Sequence, residues 1–371
     1  MSRSLIPEPI ARQPWGIILP LTALVLFGSS VLYSAAGGNF SPWAATHVLR
    51  FGVFLTMALV ISRIPRELFE WAAIPVYAGL LVLLILVEAL GFVGGGSQRW
   101  LNLGFMTLQP SELMKPGIVL VLARFYDMLP PAMTLSWRSL APVGALIGVP
   151  AVLVMLQPDL GTALAICFGA GMVMFLAGLP LRWFVGAGTA AVIGGYIAFH
   201  TLLHQYQRDR VFIFLDPESD PLGKGYHITQ SKIAIGSGGI FGKGFGNGSQ
   251  SHLDYLPEAH TDFVFATMAE EWGLIGGCFV LLVFMLLFRW GFNVARSAKD
   301  RFSMLLAAGM TCTIFFYMAI NLLMVMGLAP VVGIPLPWMS HGGSSMLTNM
   351  ICVGSIMAVA RWNKRGGGLS R

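Results

Sequence analysis

Long apolar runs alternate with short polar breaks along nearly the whole chain. A helix crosses a bilayer with about 20 apolar residues. Runs of that kind fall near 15–35, 46–62, 69–91, 112–129, 140–157, 160–180, 183–203, 262–290, 303–328 and 344–361. The pattern predicts an all-α, polytopic membrane protein of ten transmembrane helices, forming one domain over 1–371. Span two is short and is expected to tilt or to start earlier. Spans five and six meet at Gln157-Pro158-Asp159, and span four opens on the charged Glu112 and Lys115. One connection, 204–261, is long, polar and glycine-rich. Inside it, Ile228 to Ile235 is apolar at helical spacing, which predicts a short helix at the membrane interface. Glycines 236, 238, 239, 242, 244, 246 and 248 follow. They match no phosphate-binding pattern and read as a tightly turned loop.

Composition agrees with the pattern. Of 371 residues, 56% are apolar and 11% charged, against about 25% charged in soluble domains. The net charge of +6 does not signal nucleic acid, because the basic residues sit in short bursts between apolar runs. Fifteen of the 23 fall on the side of the termini, which the positive-inside rule makes cytoplasmic. All seven histidines map to the opposite half, where any chemistry is expected. The four cysteines lie in apolar runs without a CxxC pair, so neither zinc nor a disulfide is indicated.

The candidate chemistry is carboxylates and cations at the outer helix ends. Glu258, His260 and Asp262 crowd into five residues before span eight. Asp262 or Thr261 caps that helix, or a partly desolvated Asp262 serves as a general base. Glu270 and Glu271 line a cavity or pair internally. Glu112 and Lys115 share a helix face, either as a structural ion pair or with Lys115 meeting an anionic ligand. Asp159 caps span six or lines a cavity beside Gln109. Arg50 snorkels to the interface or faces the cavity. Arg208, Arg210 and Lys224 bind phosphate groups or lipid headgroups. Ser340, in the small-residue turn before span ten, has no acidic neighbour to make a hydrolase triad and is placed with the cavity residues, as are Glu258 and His260. Taken together, these residues suit an amphipathic substrate with an anionic head.

The ordered set Gln98-Arg99-Trp100-Leu101-Asn102-Leu103-Gly104, Gln109-Pro110-Ser111-Glu112, Gln157-Pro158-Asp159-Leu160-Gly161-Thr162, Leu215-Asp216-Pro217 through Gly239, Leu256-Pro257-Glu258-Ala259-His260-Thr261-Asp262 and Pro335 to Ser345 resembles the SEDS family (shape, elongation, division and sporulation). The 216–239 stretch is closer to its elongation branch than to its division branch. His341 departs from the family pattern. The resemblance implies a ten-span peptidoglycan glycosyltransferase of the bacterial cytoplasmic (inner) membrane, polymerising lipid II on the outer side. It implies a catalytic carboxylate at Asp262, help from a divalent cation (Mg²⁺ or Mn²⁺) with ligands unassigned, and a class B penicillin-binding protein as partner among other elongation-machinery membrane proteins. A flippase of polyprenyl-linked sugars and a non-catalytic scaffold are the alternatives.

Overall fold

The computed structural model describes residues 13–94, 97–102, 107–130, 133–201, 208, 224–252, 255–256 and 258–365. Long helices form at all ten expected places: α1 Trp15–Ala35, α2 Trp43–Ile61, α3 Arg66–Leu90, α4 Pro110–Met128, α5 Trp137–Leu156, α6 Leu160–Leu176, α7 Leu181–Thr201, α10 Val264–Arg296, α11 Arg301–Val325 and α12 Gly343–Arg365. Among the described residues, seven are long and apolar enough to cross a bilayer by themselves, while α6 and the apolar part of α7 are shorter. The tenth, α4, carries Glu112, Lys115, Arg124 and Asp127. Span two does start earlier than its apolar run, at Trp43.

The ends of these helices follow local chemistry. Pro110 opens α4, where its missing N–H costs nothing. Asp159 caps α6 by accepting from Thr162 N at 3.1 Å, and Asp300 caps α11 by accepting from Ser303 N at 2.8 Å. Of the seven spans long and apolar enough to cross by themselves, α11 and α12 are the most buried. α4 and α6 pack on α11, α2 packs on α12, and α10 packs on α1 and α11.

Three elements were not visible in the hydrophobic pattern. Strands β1 Phe92–Gly94, β2 Ser97–Asn102 and β3 Thr107–Leu108 form a small antiparallel sheet between α3 and α4, pairing Phe92 with Trp100 and Leu101 with Leu108. The expected interfacial helix is α8, Lys224–Gly238. It packs on α10 with Ile228, Ser231 and Ala234 buried, and Ser231 donates to Val325 O at 2.8 Å. A single turn, α9 Ser249–His252, follows.

The glycine-rich stretch is more than a turn. α10 breaks at Gly273 (φ 61°, ψ −155°), which frees backbone groups in the middle of the span. Residues 239–244 supply their partners. Lys243 N and Gly244 N donate to the carbonyls of Glu270 and Glu271 at 2.9 and 3.1 Å. Leu274 N and Ile275 N donate to those of Gly239 and Ile240 at 2.9 and 3.2 Å. Irregular backbone at such a place survives only when its polar groups are paired again. The approach is so close that a Cβ on Gly242 would lie 2.0 Å from Glu271 O.

Candidate active site

Asp262 lies on the turn that leads into α10, one residue before the helix cap. The cap is Phe263, with no side-chain bond. The capping role considered for Asp262 and Thr261 is therefore absent. Thr261 instead donates to Glu258 Oε2 at 2.6 Å. Glu258 holds a left-handed backbone (φ 57°), and its carbonyl accepts from Thr261 N and Phe263 N at 3.0 and 3.3 Å.

Other helices hold this turn in place. Asn321 of α11 donates from Nδ2 to Asp262 O at 2.9 Å and to Ile334 O at 2.7 Å. His341 N donates to His260 O at 2.9 Å. His260 stacks on Trp43, with ring centroids 4.0 Å apart and planes 3° apart. His227 of α8 stacks on Phe263 at 6.1 Å. Gly333 (φ 69°) lies alongside, where a Cβ would make ordinary contact with Asp262 Oδ2 at 3.5 Å.

The electrostatics of the turn are one-sided. Burial, then the neighbouring Glu258 charge, pushes the Asp262 carboxyl up to about 6. Beside His260, with ring centroids 6.2 Å apart, His341 has its Nε2 3.1 Å from Arg50 Nη1 and 2.9 Å from Thr46 Oγ1. A guanidinium only donates, so this nitrogen accepts. Burial, then the Arg50 charge, lowers His341 to about 4, and it is neutral at pH 7. Burial likewise lowers His260, against the pull of Glu258. Among the described residues, Arg50 has no carboxylate partner. The outer mouth thus joins a carboxylate poised to take a proton to a cation whose charge is not spent.

The remaining candidates separate from this mouth. Lys115 is 0% exposed and donates to Glu112 Oε1 at 2.6 Å and to Tyr317 Oη at 2.8 Å, and Tyr317 bonds Glu112 in turn. The closed triangle is internal to α4 and α11 and presents no ammonium to a ligand. Gln109 Nε2 donates to Asp159 Oδ2 at 3.0 Å, and Arg99 approaches the same carboxylate at 3.5 Å while donating to Gln157 O at 2.8 Å. Asp159 and Gln109 therefore join the small sheet to the α5–α6 corner. Ser340 is not a cavity residue. It is buried, and its hydroxyl accepts from Leu336 N at 2.9 Å, closing its own turn. Arg208 donates to His200 O at 3.1 Å. Arg210 and the Lys224 side chain lie outside the described residues. Glu270 and Glu271 pair internally, with Lys243 and Ser34.

Sequence reading passed over Asn321, Trp43, Thr46 and Tyr317. Asn321 did carry a signal, as an amide inside an apolar span. The others look like ordinary span residues. An apolar groove of about 380 Å³ between α10 and α11 is lined by Leu281, Phe284, Met285, Phe288, Arg289, Phe315 and Met318. It lies away from the mouth and gathers no chemistry.

A family model described as "cell cycle protein", covering FtsW, RodA and SpoVE, matches residues 13–365. The chain belongs to that family. It is 41% identical over 346 residues to the peptidoglycan glycosyltransferase MrdB of Escherichia coli K12, covering 92% of each chain. It is 36% identical over 348 residues to MrdB of Helicobacter pylori, covering 92% of this chain and 87% of the relative. It is 34% identical over 365 residues to the probable peptidoglycan glycosyltransferase FtsW of Trichlorobacter lovleyi, covering 95% and 94%. One solved relative is a chain from a study of how a peptidoglycan synthase complex coordinates polymerization and crosslinking. It superposes with a TM-score of 0.82 at 34% identity, over 95% of this chain and 98% of that one. The rod shape determining protein RodA of Thermus thermophilus superposes with a TM-score of 0.72 at 28% identity, over 94% and 97%. The SEDS resemblance and the polytopic all-α fold thus agree with both sequence and structure relatives.

Proposed function

We propose that this chain is the peptidoglycan glycosyltransferase of cell elongation, with Asp262 as its general base. The observation that carries the reading is the Asp262 carboxyl, lifted to about 6 by burial and by Glu258 at a mouth fixed by α2, α8, α11 and the turn before α12. A base works best with a pKa close to the working pH. The donor and acceptor are two lipid II molecules. The acceptor sugar hydroxyl attacks the donor's anomeric carbon and gives its proton to Asp262. The bond to the prenyl pyrophosphate breaks, and the pyrophosphate leaves with the electron pair. Attack opposite an α-linked pyrophosphate gives a β-linkage, so one base suffices and no sugar is attached to the enzyme. Arg50 is placed to meet the charge that develops on the leaving pyrophosphate.

Among the described residues no three His, Cys, Asp or Glu come together to hold an ion. We propose that a cation enters with the donor's pyrophosphate as part of the substrate. The charge distribution supports cytoplasmic termini and a mouth facing the cell exterior in the inner membrane. The solved synthase complex supports a class B penicillin-binding protein as partner. The deciding experiment is glycan-strand synthesis from lipid II by the purified chain without a transpeptidase. Synthesis lost in Asp262→Asn supports the base. Synthesis retained in Asp262→Asn removes it. Translocation of lipid-linked sugar without any strand product selects the flippase.

A further inference from the structure

We infer that Glu270, buried eight residues along the chain from Asp262, is a positioning residue: it clamps residues 243–250 into the break of α10 and thereby fixes the half-helix that carries Asp262. The inference rests on the reading of Asp262 as the base.

Glu270 is 0% exposed. Its Oε1 accepts from Lys243 Nζ at 2.6 Å, Ser249 N at 3.0 Å, Ser249 Oγ at 2.9 Å and Gln250 N at 3.2 Å, and its Oε2 accepts from Gln250 N at 3.1 Å. Every bond this carboxylate makes among the described residues goes to residues 243–250. Lys243 N bonds the Glu270 carbonyl as well, so side chain and backbone hold one segment at one point.

The geometry explains why the clamp matters to Asp262. The Gln250–Glu270 bonds close a loop whose far side is the 258–263 turn. Leu256 N donates to Gln250 O at 3.0 Å, which ties the clamp to the chain just before that turn. Beyond Glu270, the break at Gly273 uncouples Val264–Trp272 from the rest of α10. A half-helix of nine residues, hinged at Gly273, would be free to tilt were it not strapped. Asn321 and His341 hold one end of the unit; at the other, the Glu270 side chain adds to the backbone bonds that residues 239–244 make across the break. Without the clamp the loop ends can separate and Asp262 can move toward water.

Among the described residues, the charged or titratable groups at the turn are Glu258 and His260 on the turn itself, His227 of α8 against Phe263, and His341 beside His260 with Arg50 behind it; Asn321 of α11 and Gly333 contribute no charge. None of them is altered by a change at Glu270. A move of the acid limb of the pH–rate curve therefore reports a move of Asp262.

The test compares four purified proteins in lipid II polymerisation: native, Asp262→Asn, Glu270→Ala, and Lys243→Met/Ser249→Ala. The last removes two side-chain donors to Glu270, Lys243 Nζ and Ser249 Oγ, from exposed or half-buried residues and leaves the buried core untouched. For Glu270→Ala, kcat is expected to fall about 10–100-fold with KM within about threefold. Its acid limb is expected to move down by a pH unit or more, toward the ordinary carboxylate range. The double variant is expected to show the same shift at smaller size, about 3–10-fold in kcat. A folded Glu270→Ala protein with native kcat and a native acid limb overturns the inference, and so does a loss confined to KM. If Glu270→Ala does not fold, the double variant decides: an unmoved acid limb there overturns the inference. Asp262→Asn keeps the two readings apart, because its activity would refute the base itself, whereas a dead Asp262→Asn beside an unshifted Glu270→Ala refutes only the positioning role.

Discussion

The two ends of the helix bundle use charge in opposite ways. At the end that carries the termini, one network pairs charges within and between helices. Arg66 bonds Glu70 at 2.5 Å and Asp300 at 3.1 Å, and Arg124 bonds Glu70 at 2.8 Å and Asp127 at 3.2 Å. Asp127 accepts from Phe302 N at 3.2 Å, and Arg301 donates to Leu129 O and Ala177 O at 2.9 and 2.8 Å. The network ties α3, α4, α6 and α11 together. At the opposite end some charges are matched too, in Arg99–Asp159, Lys115–Glu112 and Lys243–Glu270, but at the mouth Asp262 and Glu258 stand side by side with the same sign, and Arg50 rests on a neutral imidazole. Charges already matched by the fold have nothing left for a ligand. Charges held without a match are costly to the fold, and they cluster at functional sites.

The largest test of this contrast is Asp262→Asn. Loss of a general base lowers the rate about 10²–10⁴-fold. The same change should stabilise the protein. A carboxyl raised to about 6 when folded and near 3.9 when unfolded binds its proton more tightly in the folded state. The folded protein therefore loses stability as pH rises from about 4 to 6, and above 6 it carries the whole penalty, about 1–3 kcal/mol. Thermal unfolding in detergent at pH 7.5 should show Asp262→Asn more stable than native, with the gain gone at pH 4. An inactive Asp262→Asn protein that is less stable at pH 7.5 would mean that the carboxylate is matched after all.

Next in size is the buried pair inside the bundle. Lys115→Ala strands Glu112 in the protein interior, and breaking such a pair costs about 3–5 kcal/mol. Glu112→Gln/Lys115→Met should recover most of that stability in the same melt. If the double variant melts like native but polymerises far more slowly per folded molecule, the pair acts on substrate as well as on the fold.

The acid limb of kcat/KM comes third. It should fall about tenfold per pH unit below about 6, as Asp262 takes up its proton. A limb near 4 would place the base in water and level the difference between the two ends.

The smallest effect is expected at the paired end. Arg66→Ala and Arg124→Ala remove partners whose side chains are 34% and 28% exposed. Screened pairs of this kind contribute about 0.2–1 kcal/mol each. Polymerisation per folded molecule should be unchanged and the loss of stability smaller at high salt, both measurable on one preparation.

The amino-acid sequence by itself determined the ten helices, because a bilayer span is a local property of about 20 consecutive residues. It also determined the cap at Asp159 and the helix over Ile228–Ile235, since capping and helical periodicity reach only a few positions along the chain. Asp262, Glu258 and His260 were legible as a crowd for the same reason. What the crowd does was decided elsewhere. Asp262 missed the capping position by one residue, a matter of backbone angle that composition does not specify. Its raised proton affinity comes from burial by α8, α11 and the turn before α12, whose residues lie far away in sequence. Ser340 looked available until its own turn closed on it. Lys115 looked like a cation for a ligand until Tyr317, some 200 positions on, completed its shell. The glycines read as loop, yet only the broken α10 shows why Gly238 and Gly242 are glycines: two backbones meet where no Cβ fits. Pairing, desolvation and close approach are relations between distant segments, so the tertiary structure alone assigned them.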